Sequence, residues 1–190
     1  QTTSMNYIIA DGPRRNALLP FTFTRPVAEI RIGILTIREK WERRLKTDLS
    51  FKTEEYLSEK YPMISAKENV VIDGSVVPDQ GLSEMVSALR ANQAIQYRDK
   101  VVAYHTSNPT LEPDFSQYKI KTYPGELITV DFTWDIFSKN GEALQADYDF
   151  ITEGRKSAPI SATNQLIAPE NIFLEDGASV EYSILNASNG

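Results

Sequence analysis

The chain has 190 residues, 41% of them hydrophobic and 24% charged, with a net charge of −6, enough for one substantial domain and a small addition. It has no cysteine and one histidine, His105, which excludes a disulfide frame, a thiolate metal site and a multi-histidine metal centre, and leaves little for a Ser-His-Asp arrangement. No apolar run approaches about 18 residues, the N-terminus lacks a secretory pattern, and the acidic balance argues against nucleic-acid binding, so a cytoplasmic protein with neither nucleic-acid nor membrane partners is expected.

"QTTS" reads as a remnant ahead of a natural start at Met5. Residues 6–11 (NYIIAD) are a short apolar run rich in β-formers, which predicts a buried strand. Residues 10–33 follow with four arginines and three prolines, and with Gly12 and Gly33 as their glycines. A strand running into a loop and then a helix is a common place for a phosphate site, yet a glycine-rich turn is absent. Residues 13–46 carry nine basic and three acidic side chains, a net of +6 that leaves −12 for the rest. Such a segment suggests a local anion site or a solvated helix face.

Thr36 and Glu39 have capping-box spacing and Ile37, Trp41 and Leu45 follow at helical intervals, predicting a helix over 37–45. A second short helix is expected over 54–61, with Thr53 as cap and Pro62 as stop. Residues 69–74 (NVVIDG) give the next strand, and after Pro78 and Asp79 comes a helix with Leu82, Met85, Val86 and Leu89 on one face. Residues 94–106 read as a hairpin turning at Arg98-Asp99-Lys100, with His105 at a sheet edge. Residues 118–123 and 126–132 are expected as strands parted by Pro124-Gly125, and 134–153 as a long helix interrupted at Asn140-Gly141. Trp41 and Trp134 are expected in the core or an interface. Strands alternating with helices imply an α/β sheet covered on both faces.

The tail differs. Residues 158–169 are turn-rich, and Leu174, Val180 and Asn186 stand six apart, with LEDGAS fitting a hexapeptide repeat. That pattern builds a left-handed parallel β-helix. One and a half units cannot stack alone, so an ordinary strand pair remains the alternative, and a truncated β-helix is the expectation where the pattern stops.

Four stretches, LLPFTFTRPVAEIRIGILTIREKWERRL, NVVIDGSVVP, WDIFSKNGEAL and GRKSAPIS with ENIFLEDGASVEYSILNAS, stand in an order and spacing that resembles the sugar nucleotidyltransferase-like proteins. These have a nucleotidyltransferase-like N-terminal half and a hexapeptide β-helix C-terminal half, similar to bifunctional N-acetylglucosamine-1-phosphate uridyltransferase/acetyltransferase. The resemblance implies a Rossmann-like nucleotidyltransferase domain over 5–155 and the first strands of a β-helix over 156–190, with trimer formation through the β-helix of a full-length protein. It implies uridylyl or thymidylyl transfer from a nucleoside triphosphate to a sugar 1-phosphate, with release of pyrophosphate and with Mg²⁺ as cofactor.

Carried across, the resemblance puts Asp11 and Gly12 in the phosphate loop, with Arg14 or Arg15 as its arginine. Arg25, beside Pro26, falls near the family's Pro-Lys position. Gly33 matches the glycine of a Gly-Lys-Pro segment, but isoleucine follows it. Gly74 and Ser75 match a Gly-Asp turn, with serine where the metal-binding aspartate is expected; Asp73, two residues earlier, is not taken as its substitute. Asp131 matches the second metal ligand. Each has a plainer reading: Arg25 could pair with Glu29, Asp131 could cap a strand end, and Asp135 could favour a helix N-terminus. Two functions therefore stand side by side, a sugar-1-phosphate nucleotidyltransferase and a non-catalytic module of the same shape that binds a sugar nucleotide or only packs against the β-helix.

Overall fold

The structure is a computed structural model that describes residues 5–188. The remnant reading of 1–4, and the last two residues of the expected tail, lie outside them. The chain forms two compact units, the first ending at Ala143 and the second beginning at Leu144. Among the described residues no helix is long and apolar enough to cross a membrane.

The first unit is a mixed α/β structure. Its strands are β1 (Asn6–Ala10), β2 (Ser50–Lys52), β3 (Asn69–Asp73), β4 (Gln93–Tyr97), β5 (Lys100–Thr106) and β6 (Lys119–Thr122). They form one sheet in the order β2-β1-β3-β5-β4-β6. β2 and β3 flank β1 and run parallel to it, β5 is antiparallel to both β3 and β4, and β6 is parallel to β4. The chain thus leaves β1 on one side and returns on the other. In open α/β sheets the crevice beyond the carboxyl ends of the strands at such a reversal is where ligands bind.

Alternation along the strands decides what covers each face. Tyr7, Ile9, Val70, Ile72 and Ile95 join Ile37 and Trp41 of α1 (Ile37–Leu45) and Leu82 and Val86 of α2 (Gln80–Ser87) in the main core. Ile8, Val71, Tyr104 and Ala94 make the row of opposite parity. There the Tyr104 ring meets Phe115 and Tyr118 edge-on at 5.4 and 6.1 Å, so an aromatic loop segment shields this second face. Facing strands also fall out of step once: Ile95 is opposite Ala103 but Gln96 is opposite Val101, leaving Val102 as the extra residue of a β-bulge.

The predicted caps form. Thr36 accepts from the Glu39 N–H and Glu39 returns the bond to the Thr36 N–H, a complete capping box. Asp79 caps α2 by accepting from the Leu82 N–H at 2.7 Å. The expected long helix is broken at Lys139 into α3 (Asp135–Ser138) and α4 (Asn140–Thr152).

Several expectations are corrected. Residues 54–61 give one 3-10 turn, Glu55–Leu57, because so short a helix is marginal without a packed apolar face. Residues 126–132 are not a strand; Thr129 makes an isolated bridge to Val76, reinforced by Val77 N–H to Ile128 O and Val130 N–H to Ser75 O. β2 was not expected at all, being three residues without alternation. His105 lies inside the sheet, buried, with Nε2 2.9 Å from Glu68. Trp41 is core as expected, whereas Trp134 is exposed and stacked on Phe132, with ring centroids 4.6 Å apart.

In the second unit, β7 (Gln165–Ile167) and β8 (Ile184–Asn186) pair in parallel. The Asn164 amide donates to the Ser161 and Val180 carbonyls and its oxygen accepts from the Ser183 N–H. Among the described residues of 156–188 no side chain is buried, so hydrogen bonds rather than a core hold this segment.

Trp41 fixes α1 to the chain beyond β3: its indole N–H donates to the Val76 carbonyl at 2.9 Å, fully buried. Trp41→Phe leaves that carbonyl without its donor and is expected to lower the unfolding free energy by about 1–3 kcal/mol. Urea denaturation with an unchanged slope checks it.

Candidate functional site

Asp11 stands where β1 ends and is buried. Its Oδ1 accepts from the Val27 N–H at 2.7 Å, and its Oδ2 accepts from Arg15 at 2.6 Å and from the Thr53 hydroxyl at 2.5 Å. One carboxylate thereby gathers the end of β1, the arginine loop and the segment after β2. Arg15 is buried with it, and spends its remaining N–H groups on the carbonyls of Thr22 and Arg25 and on the Tyr56 hydroxyl. Its Nε also lies 3.6 Å from Glu54, so the guanidinium, though it borders the crevice, organises the loop from within.

Gly12 follows with φ of +66°, a region that costs an L side chain about 1–2 kcal/mol. A Cβ there would also lie 3.0 Å from Asp73 Oδ1. Gly74 is equally constrained, because a Cβ would come within 2.8 Å of the Ala10 carbonyl that its own N–H binds at 2.7 Å. The two glycines let the ends of β1 and β3 close on one another.

Between those ends lies a polar cluster that joins three distant segments. Asp73 Oδ1 accepts from the Ser75 N–H at 2.9 Å and from its hydroxyl at 2.8 Å. β3 ends at Asp73 and residues 74–75 turn, with the Val76 N–H bonded back to the Asp73 carbonyl at 3.2 Å, which is why Asp73, set aside on sequence, belongs to the site. The Lys100 ammonium lies 3.2 Å from Asp73 Oδ2, 3.1 Å from Asp131 Oδ1 and 2.9 Å from Ser75 Oγ. Burial pushes the Asp131 carboxyl up, but the Thr129 hydroxyl at 2.7 Å, the Lys100 charge and hydrogen bond, and the more distant Lys139 outweigh it and hold it below the usual carboxylate range. Asp135 caps this segment by accepting from the N–H groups of Asp131 and Phe132, both at 2.9 Å, and pairs with Lys139.

Two cavities adjoin the cluster. The larger, about 810 Å³, opens beyond β1, β2 and β3 on the sheet face of Val71 and Tyr104, and reaches Gly12, Thr53, Asp73 and Phe115. Burial, followed by the charges of Glu112 and Tyr118, pushes the Tyr104 phenol up to about 12, so this wall stays neutral at ordinary pH. The smaller, about 350 Å³, is bordered by Arg14, Thr129, Asp131 and Phe132. Pro13, Asp99 and Lys100 border both.

Of the residues singled out on sequence, Asp11, Gly12, Gly74 and Ser75 come together at this crevice, and Asp131 joins them through Lys100. Arg14 borders the smaller cavity with its guanidinium 5.2 Å over the Phe132 ring. Arg25 is exposed and lines neither cavity; its expected partner Glu29 is taken by Arg38 at 2.5 Å. Gly33, with φ of +75°, binds the Asn140 side chain through its N–H at 2.8 Å, apart from both cavities. Lys100 was missed because it reads as the end of a hairpin turn; its partners lie 25 to 31 positions away.

The donor set does not fit a resident divalent ion. Magnesium asks for near-octahedral oxygens at about 2.0–2.1 Å, whereas the oxygens of Asp73, Ser75 and Asp131 converge on an ammonium. Among the described residues no group of three or more His, Cys, Asp or Glu side chains could hold a metal.

A mixed six-stranded sheet with its polar crevice at the reversal of strand order is the architecture expected of a nucleotide-handling α/β domain. The model of the sugar nucleotidyl transferase family matches residues 7–156, and the chain belongs to that family. No curated protein matches it.

Removing Asp11 leaves the buried Arg15 charge with only the more distant, half-exposed Glu54, 3.6 Å from its Nε. Asp11→Ala is therefore expected to cost about 3–5 kcal/mol, while Arg25→Ala stays within about 0.5 kcal/mol; chemical denaturation separates them. Because Asp131 is held below its unfolded value, its charge stabilises the fold above about pH 4. That contribution fades as pH falls through the folded value, so the stability gap between wild type and Asp131→Asn should narrow on acidification.

Proposed function

We propose that the first unit binds a nucleoside triphosphate in the crevice between β1 and β3 and transfers its nucleotidyl group to a sugar 1-phosphate. The observation that carries this reading is the meeting of two cavities at Lys100. Nucleotidyl transfer needs two substrates face to face: an oxygen of the sugar phosphate bonds to the α-phosphorus while the bond to the departing pyrophosphate breaks in line. The cavity of about 810 Å³ suits the nucleotide and that of about 350 Å³ the sugar phosphate. Such chemistry rests on positioning and on cations opposing the developing charge. Arg14 is the group placed for it: no hydrogen bond or ion pair of its guanidinium occurs among the described residues, and an arginine can grip phosphate oxygens bidentately. With little glycine in the loop and Arg15 committed to Asp11, side chains rather than backbone N–H groups would meet the phosphates.

The same features favour a second reading, a module that binds a sugar nucleotide without turning it over. Its support is the position of Lys100, which already stands between the two carboxylates of the cluster. The nucleobase is expected to be uracil or thymine, as the resemblance implies.

For the tail we propose the first coil of a left-handed β-helix. Gln165 pairs in parallel with Ile184, close to the 18 residues of a three-sided coil built from hexapeptide units. In a protein that continues this coil, trimer formation through it follows from the resemblance.

Thermal shift with UTP, dTTP and UDP-N-acetylglucosamine, and pyrophosphate release from UTP or dTTP in the presence of a sugar 1-phosphate such as N-acetylglucosamine 1-phosphate, each with and without Mg²⁺, separate the readings. A shift of the melting midpoint with pyrophosphate release supports the transferase, a shift without release supports the binding module, and no shift with any nucleotide sinks both. Arg14→Ala is expected to weaken nucleotide-dependent stabilisation at least about tenfold in apparent Kd, with the unliganded melting point unchanged, and Arg25→Ala to leave it intact.

A further inference from the structure

We infer that Lys100 is a built-in cation, its ammonium standing where two carboxylates and a hydroxyl would otherwise gather a divalent metal. The inference deepens the nucleotidyltransferase reading, from which the expectation of a metal at Asp131, opposite the Ser75 position, derives. An ammonium has three N–H donors; here it donates to Asp131 Oδ1 at 3.1 Å and to Ser75 Oγ at 2.9 Å, and it is ion-paired with Asp73 Oδ2 at 3.2 Å. Each acceptor is itself fixed by a neighbour. Asp73 is held by the N–H and hydroxyl of Ser75, Asp131 by the Thr129 hydroxyl, and the Asp131 segment by Asp135. The acceptors are therefore set for a charge that sits at hydrogen-bond range, about an ångström farther than a magnesium–oxygen bond.

The rest of the cluster agrees. Two carboxylates against one ammonium leave a residual negative charge, so replacing Lys100 with a neutral side chain would put two like charges around a vacated centre. Of the residues bordering both cavities, Pro13, Asp99 and Lys100, only Lys100 brings a cation. A ligand phosphate in either cavity has that lysine on its border, and any divalent ion in the reaction arrives with the nucleotide rather than waiting in the protein. Lys100 is thus a positioning residue for the acids of the cluster and a fixed positive charge for the ligand.

The test uses the free chain and Mn²⁺ alone, so a protein that binds no nucleotide still gives an answer. Electron paramagnetic resonance counts free Mn²⁺ as wild type, Lys100→Met and Lys100→Met/Asp131→Asn are titrated. Lys100→Met is expected to bind Mn²⁺ at least about tenfold more tightly than wild type, a gain of 1.4 kcal/mol, and the double variant to lose that gain. Wild type binding Mn²⁺ as tightly as Lys100→Met would overturn the inference. Should Lys100→Met fail to fold, the wild type carries the test through its own ammonium resonance in ¹⁵N spectra. A protected Lys100 signal that is unmoved by excess Mg²⁺ supports the built-in cation, and its displacement by Mg²⁺ refutes it.

Discussion

A single buried carboxylate sets the geometry on which the site depends. Asp11 ends β1 with both oxygens engaged, and in doing so it ties down Val27, Arg15 and Thr53, which belong to three separate pieces of chain. A buried ion pair of this kind gains little net free energy against an apolar replacement, but its partners cannot be separated cheaply. What it does contribute is definition: the long loop after β1 can run in one way only, with Gly12 turned against Asp73 and Arg14 left outside. A glycine-rich phosphate turn reaches the same end by exposing backbone N–H groups. This chain closes its loop with a side-chain knot and leaves the Arg14 guanidinium outside it.

Much of the fold was legible because its signals are local. The capping box at Thr36 and Glu39, the apolar spacing of Leu82 and Val86, and the β-rich runs of β1 and β3 each act over a few residues. Their neighbours in sequence are their neighbours in space. β2 escaped because three residues carry no period, and residues 126–132 misled because a run with strand composition found only a bridge to Val76. His105 looked like an edge residue because nothing in its hairpin foretells that β3 will pair with β5 and place that strand inside the sheet.

The site was half legible for the same reason. The resemblance brought Asp11, Gly12, Gly74, Ser75 and Asp131 to notice by position in a pattern, and those positions do converge. It could not say that Arg15 turns inward, because the partners that absorb it, Thr22, Arg25 and Tyr56, are set by the path of the loop. Nor could it show Lys100 reaching Ser75 and Asp131 across the sheet. Charge alone flags neither; both follow from contacts between segments.

The β-bulge at Val102 gives the hairpin of β4 and β5 two different kinds of robustness. Side chains at Arg98 and Asp99, out in solvent at the turn, can vary with small effect on the paired strands. Length cannot, because a strand counts its residues in twos and the bulge makes the count between Tyr104 and Lys100 odd rather than even. Deleting one residue there would preserve the composition, the turn and nearly every ladder bond, yet exchange which neighbour of Lys100 meets the carboxylates. A change of length in that hairpin would therefore disturb the carboxylate cluster more than a change of side chain at Arg98 or Asp99.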